Sequence, residues 1–181
     1  MKHNKLFLLV ALLTAGSLWL YGRFLATPRP QRKPPVGTTS PDGRRVEKSD
    51  AEWRSILSNA QYDVTRERGT EWPNSSELTY EHRPGIYRCV CCHNPLFSSL
   101  TKFDSRTGWP SFYAPIVQNA LYTEPDGGRT EVRCAVCDAH LGHVFNDGPD
   151  PTGLRYCMNG VALVFTQADM KRAARNEAAK K

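Results

Sequence analysis

Tyr87-Arg88-Cys89-Val90-Cys91-Cys92 sets three cysteines into four positions, and Cys134-Ala135-Val136-Cys137 adds two more after a gap of 41 residues. Read as Cys89-x-x-Cys92 and Cys134-x-x-Cys137, the two stretches are a pair of metal knuckles. Each short turn directs two thiolates at one tetrahedral centre, and two turns complete the shell of a zinc ion. A shell of four sulfurs leaves no position for water or substrate, so the zinc is expected to be structural. Two disulfides or redox-active pairs are the competing readings, and Cys91 stays open as an alternative ligand to Cys92.

A knuckle pair of this kind needs short strands to carry it. From Gly85 to Phe165 the chain is cut by Gly, Pro, Asn and Asp into β-favouring runs at Gly85 to Cys89, Glu131 to Ala135, Val144 to Phe145, Leu154 to Met158 and Val161 to Phe165. This pattern predicts a mainly β domain of antiparallel sheets. Before it, Ser49-Asp50-Ala51-Glu52 has the form of a capping box, and Trp53, Ile56 and Leu57 fall on one face of a short N-terminal helix. The domain is expected over residues 49–168, followed by a basic, frayed helical tail.

Residues 6–20 (LFLLVALLTAGSLWL) are almost wholly apolar behind Lys2 and Lys5, the layout of a signal or signal-anchor over residues 1–26. No small-x-small cleavage site is evident, which favours a membrane anchor. The signal-like layout favours export of the domain, whereas Arg23, Arg29, Arg32 and Lys33 beyond the segment argue for the opposite orientation. Residues 27–48, rich in Pro, Gly and charge, are expected to be a tether. The net charge of +6 lies entirely in residues 1–47, where eight Lys and Arg face two Asp and Glu; the remainder has sixteen of each. A neutral domain is not expected to bind nucleic acid.

With four cysteines assigned, Cys91 and Cys157 remain. In Leu154-Arg155-Tyr156-Cys157-Met158-Asn159, read as a strand, Arg155, Cys157 and Asn159 share one face and Tyr156 and Met158 the other. Arg155 and Asn159 would then favour a Cys157 thiolate. An inert core cysteine is the plain alternative, as is a packing role for Trp109 between Gly108 and Pro110.

Thr107-Gly108-Trp109-Pro110-Ser111-Phe112, Cys137-Asp138-Ala139-His140-Leu141-Gly142-His143-Val144-Phe145 and Arg155-Tyr156-Cys157-Met158-Asn159, with both knuckles in order, closely resemble the B-type methionine sulfoxide reductases over residues 50–166. The resemblance implies an Mss4-like, tent-shaped pair of antiparallel sheets with a structural zinc. It implies reduction of methionine R-sulfoxide, free or in proteins, recycled by a thioredoxin-like dithiol reductant. By position, Cys157 matches the nucleophile, Trp109 the aromatic that receives the substrate methyl, and His140, His143 and Asn159 the lining that holds the sulfoxide oxygen. Phe145 and Arg155 lie in matching motifs as supports.

Two positions depart from the family. Thr107 stands where many members keep a resolving cysteine, which leaves Cys91 as the expected resolver of a Cys157 sulfenic acid. Gly160-Val161-Ala162 replaces a commoner Ser-Ala-Ser, expected to loosen the backbone beside Asn159. The rivals from other classes are a zinc-ribbon binding module, which needs a basic or aromatic face, and a thiol–disulfide oxidoreductase working through a Cys-x-x-Cys pair.

Overall fold

A computed structural model describes residues 45–168. The apolar segment, most of the tether and the basic tail after Ala168 lie outside the described residues; among those described, no helix is long and apolar enough to cross a membrane.

Two short helices open the domain, α1 (Asp50–Ile56) and α2 (Asn59–Glu67). Each starts on a reciprocal capping box, Ser49 with Glu52 and Ser58 with Gln61, which satisfies amide groups that a helix start leaves bare. The second box and its helix were not anticipated from sequence. Trp53 and Leu57 are buried as expected, but Ile56 is 56% exposed. The reason is local: the helix stops at Ile56, and Leu57 turns into an extended conformation that carries its own side chain inward.

Nine strands follow: β1 (Gly85–Cys89), β2 (Pro95–Ser98), β3 (Lys102–Phe103), β4 (Ser111–Phe112), β5 (Leu121–Asp126), β6 (Arg129–Cys134), β7 (His140–Phe145), β8 (Arg155–Met158) and β9 (Leu163–Gln167). They form a three-stranded sheet, β2-β1-β9, and a six-stranded sheet, β3-β4-β8-β7-β6-β5, with every pairing antiparallel. The expected pair of antiparallel sheets is therefore present. Gln167 closes β9.

Aromatic side chains join the two sheets. Tyr87 and Phe97 of the small sheet meet Phe112 and Tyr156 of the large one: Phe97 stacks on Phe112 at 4.4 Å and meets Tyr156 at 5.7 Å, and Tyr87 meets Phe112 edge-on at 4.8 Å. Such pairs contribute roughly 0.5–1.5 kcal/mol each beyond the area they bury. Phe112 and Tyr156 face each other across β4 and β8, with Val144 next along the row. That row is the core face of the large sheet, so Ser111, Cys157 and His143, one residue along each strand, project from the opposite face.

Candidate active site and metal cage

The cage is built by two equivalent turns. After Cys89 the chain folds back so that the His93 amide donates to the Cys89 carbonyl at 2.8 Å; after Cys134 the Asp138 amide donates to the Cys134 carbonyl at 3.0 Å. His93 and Asp138 both adopt the left-handed conformation, with φ of 60° and 63°. The second turn is also the connection between β6 and β7. Cys89, Cys92, Cys134 and Cys137 are all buried, with their sulfurs within 4.8 Å of one another and two contacts of 3.6 Å. A tetrahedral zinc with bonds of about 2.3 Å needs sulfurs about 3.8 Å apart, so the donor set fits that metal. All six cysteines are free thiols, and contacts of 3.6 Å are far beyond a disulfide bond of about 2.05 Å. Asn94 supports the cage, donating to the Ala120 carbonyl at 2.9 Å with its Nδ2 3.7 Å from Cys134 Sγ.

Cys157 stands apart from these sulfurs. It is paired across the sheet with Ser111 on one side and His143 on the other. Thr107 Oγ1 lies 3.9 Å from its sulfur, and Ser105 links Thr107 to Ser111 through hydroxyl contacts of 2.8 and 2.7 Å. Burial raises the Cys157 pKa, against the opposing pull of Thr107, Arg155 and Ser111. In the resting protein, then, burial outweighs the donors. The expected pair of helpers is also only half present: Arg155 bears on the thiol, whereas Asn159, beyond the end of β8, is not among the groups that act on it. Its Nδ2 donates to the Leu141 carbonyl at 3.2 Å and its Oδ1 accepts the Glu71 amide at 3.1 Å. Arg155 is held by Asp147 through two contacts of 2.8 Å, with its guanidinium 4.4 Å over the ring of Phe145, its cross-strand neighbour.

His140 and His143 are three residues apart, and strict alternation would send them to opposite faces of β7. A bulge prevents this. Val132 pairs with Gly142 but the next residue, Arg133, pairs with His140, so Leu141 is extra and drops into the core. Both imidazoles then occupy the Cys157 face, 5.4 Å apart. Gly142 is needed here because a Cβ would lie 2.2 Å from the Cys157 carbonyl oxygen.

Each histidine is oriented by a carboxylate that sequence reading missed. His140 Nδ1 donates to Glu131 at 2.7 Å, leaving its buried Nε2 without a partner, and His143 Nε2 donates to Asp126 at 2.8 Å. Arg68 bridges both acids, at 2.6 Å to Glu131 and 3.3 Å to Asp126. Burial works against the Glu131 charge, but His140, Arg133 and Arg68 overcome it and hold its pKa below the usual carboxylate value. Asp126 is likewise lowered, chiefly by its bond from His143. Burial lowers the His143 pKa more than its bond to Asp126 raises it. Glu131 and Asp126 face β7 from β6 and β5, which the strand alternation of β6 signals only once register is known.

The structure does not bring Cys91 to Cys157. The Cys91 thiol is buried against Cys89, Cys137, Thr65 and Arg66, none of which is among the groups around Cys157. Trp109 is half-buried, with its indole N–H donating to the Glu71 carbonyl at 3.3 Å.

A mainly β domain of two antiparallel sheets, with a four-cysteine cage suited to zinc at one place and a separate thiol on the face of two histidines at another, defines a class of domain. Comparison with known proteins makes the class specific. Residues 57–167 match the SelR domain. The peptide methionine sulfoxide reductase MsrB of Pseudomonas putida (strain GB-1) is 56% identical over 130 residues, which are 70% of this chain and 99% of that protein. The proteins of the same name from Herminiimonas arsenicoxydans and Hahella chejuensis are 54% and 52% identical, over 67% and 69% of this chain and 91% and 93% of theirs. This chain belongs to the B-type methionine sulfoxide reductases. Among solved structures, the "Yippee-like" domain of Mis18 aligns over 48% of this chain and 98% of its own, at 21% identity and a TM-score of 0.39.

Proposed function

We propose that the protein reduces methionine R-sulfoxide, free or within proteins, with Cys157 as nucleophile. The observation that carries this reading is the cross-strand pairing of Cys157 with His143, with His140 brought to the same face by the β7 bulge. The Cys157 sulfur attacks the sulfoxide and takes its oxygen, the S=O bond breaks, and methionine leaves as Cys157 becomes a sulfenic acid. The oxygen gains charge as it is transferred and needs a proton. That proton is the one the Cys157 thiol gives up; His140, with Glu131 behind Nδ1 and Nε2 unpartnered, and His143 line the face across which it passes to the oxygen. Trp109 packs against the substrate methyl group, Asn159 lines the oxygen side, and Phe145 and Arg155 buttress the strand behind Cys157.

An external thiol then condenses with the sulfenic acid, releasing water. A second thiol of a thioredoxin-like dithiol reductant opens the mixed disulfide and restores Cys157. Direct attack from outside is favoured over Cys91 because Cys91 is packed at the cage and Thr107 occupies the place beside Cys157. Zinc held by Cys89, Cys92, Cys134 and Cys137 would supply rigidity and no reactive ligand position. The apolar segment of residues 6–20 supports a membrane tether, and its signal-like layout, set against the basic residues that follow it, supports an enzyme working outside the cytoplasm, which fractionation with protease protection would test.

The central test is a single turnover with methionine R-sulfoxide and no reductant. One methionine per active site and a gain of one oxygen on the peptide containing Cys157 are expected. A Cys157→Ser protein with unchanged turnover would reject the reading.

A further inference from the structure

Glu71 makes four hydrogen bonds to Trp109 and to the Asn159–Val161 stretch after the Cys157 strand, although it lies far from them in sequence. One carboxylate oxygen accepts the Gly160 amide at 2.5 Å and the other the Val161 amide at 2.8 Å, seizing the turn that follows the Cys157 strand. Its own amide donates to Asn159 Oδ1 at 3.1 Å, and its carbonyl accepts the Trp109 indole N–H at 3.3 Å. The segment that carries it is fastened to the Trp109 loop a second time, by the Asn74 amide on the Gly108 carbonyl at 2.7 Å.

We propose that Glu71 is a positioning residue for sulfoxide binding: its carboxylate clamps the Gly160–Val161 turn so that its main chain holds Trp109 and Asn159 at one spacing on either side of the substrate. This rests on the reduction reading above. Gly160 belongs to the same device. A Cβ there would lie 2.1 Å from Ser76 Oγ, so the glycine that replaces the commoner serine lets the turn settle against the Glu71 segment rather than loosening it.

A carboxylate accepting two amides is spoiled by Glu71→Gln, whose NH2 group cannot accept. With free methionine R-sulfoxide, Glu71→Gln is expected to raise KM about fivefold or more while kcat stays within about twofold, the signature of lost substrate placement. Alkylation of Cys157 by iodoacetamide is expected to be unchanged. In an Asn159→Ala background the same substitution should raise KM clearly less than it does alone, because part of the Glu71 effect passes through that residue and only the Trp109 part remains. Equal effects in both backgrounds, or an unchanged KM, would overturn the proposal. If Glu71→Gln does not fold, Glu71→Asp carries the test: it keeps the charge but draws it back by one methylene, and a normal KM in it would be equally decisive against the clamp. An inactive wild-type protein would break the reduction reading instead, so the two failures are distinguishable.

Discussion

The molecule uses cysteine in two regions that share an atom type and little else. At the cage, two short turns with the same hydrogen bond and a left-handed residue at the same place, His93 in one and Asp138 in the other, crowd four sulfurs together, away from solvent. On the large sheet, Cys157 has hydroxyls and an imidazole for neighbours instead of other sulfurs. Crowded thiols hold a metal and lose reactivity; a solitary thiol that is partly reachable keeps it. Position in the fold, more than the residue, decides which chemistry a sulfur performs.

Breaking the cage is the harshest way to probe this contrast. Cys134→Ser, or stripping metal with a chelator, is expected to remove on the order of 5 kcal/mol of folding stability, read as a large fall in the thermal midpoint with loss of bound zinc. Cys157→Ser should leave that midpoint and the zinc content essentially unmoved. Equal destabilisation by both would erase the distinction.

Thr107→Cys sharpens it from the other side. Its sulfur would replace an oxygen now 3.9 Å from Cys157 Sγ, so one turnover without reductant should end in a disulfide between positions 107 and 157, seen by peptide mass mapping. A persistent sulfenic acid in that variant would contradict the geometry.

The pH dependence of Cys157 alkylation follows from the raised pKa. A raised thiol value means less thiolate at any given pH, so without substrate the rate should still be climbing above about pH 8.5, the ordinary midpoint for cysteine. A plateau reached by neutral pH would show that Arg155 and the hydroxyls outweigh burial. The smallest effect is expected from Cys91→Ser: turnover with a dithiol protein reductant within about twofold of wild type, because the sulfenic acid is met by an external thiol. Stalling after one turnover would restore Cys91 as the resolver.

What could be read from sequence was what lies close together along the chain. The knuckles declare themselves within four residues, and the alternation around Cys157 separated it from Tyr156 and Met158, which the structure packs into the core. β2 and β5 went unseen because Pro95 and Pro125 sit inside them, and proline normally argues against a strand. Both are edge strands, β2 of the small sheet and β5 of the large one, where the missing amide breaks no central ladder. The common face of His140 and His143 was hidden by the bulge, which no periodicity betrays. Asp126, Glu131 and Glu71 were missed for another reason: their partners come from other strands, up to 90 residues away for Glu71.

The second knuckle has a mechanical side. It is the bend of the β6–β7 hairpin, and the strand that leaves it begins with His140 and continues to His143. Metal at that bend would act as a rivet at the closed end of a pair of tongs, setting how the two arms lie and where the imidazoles come to rest. Loosening the rivet would let the arms slip from the bend outward, disturbing His140 before His143.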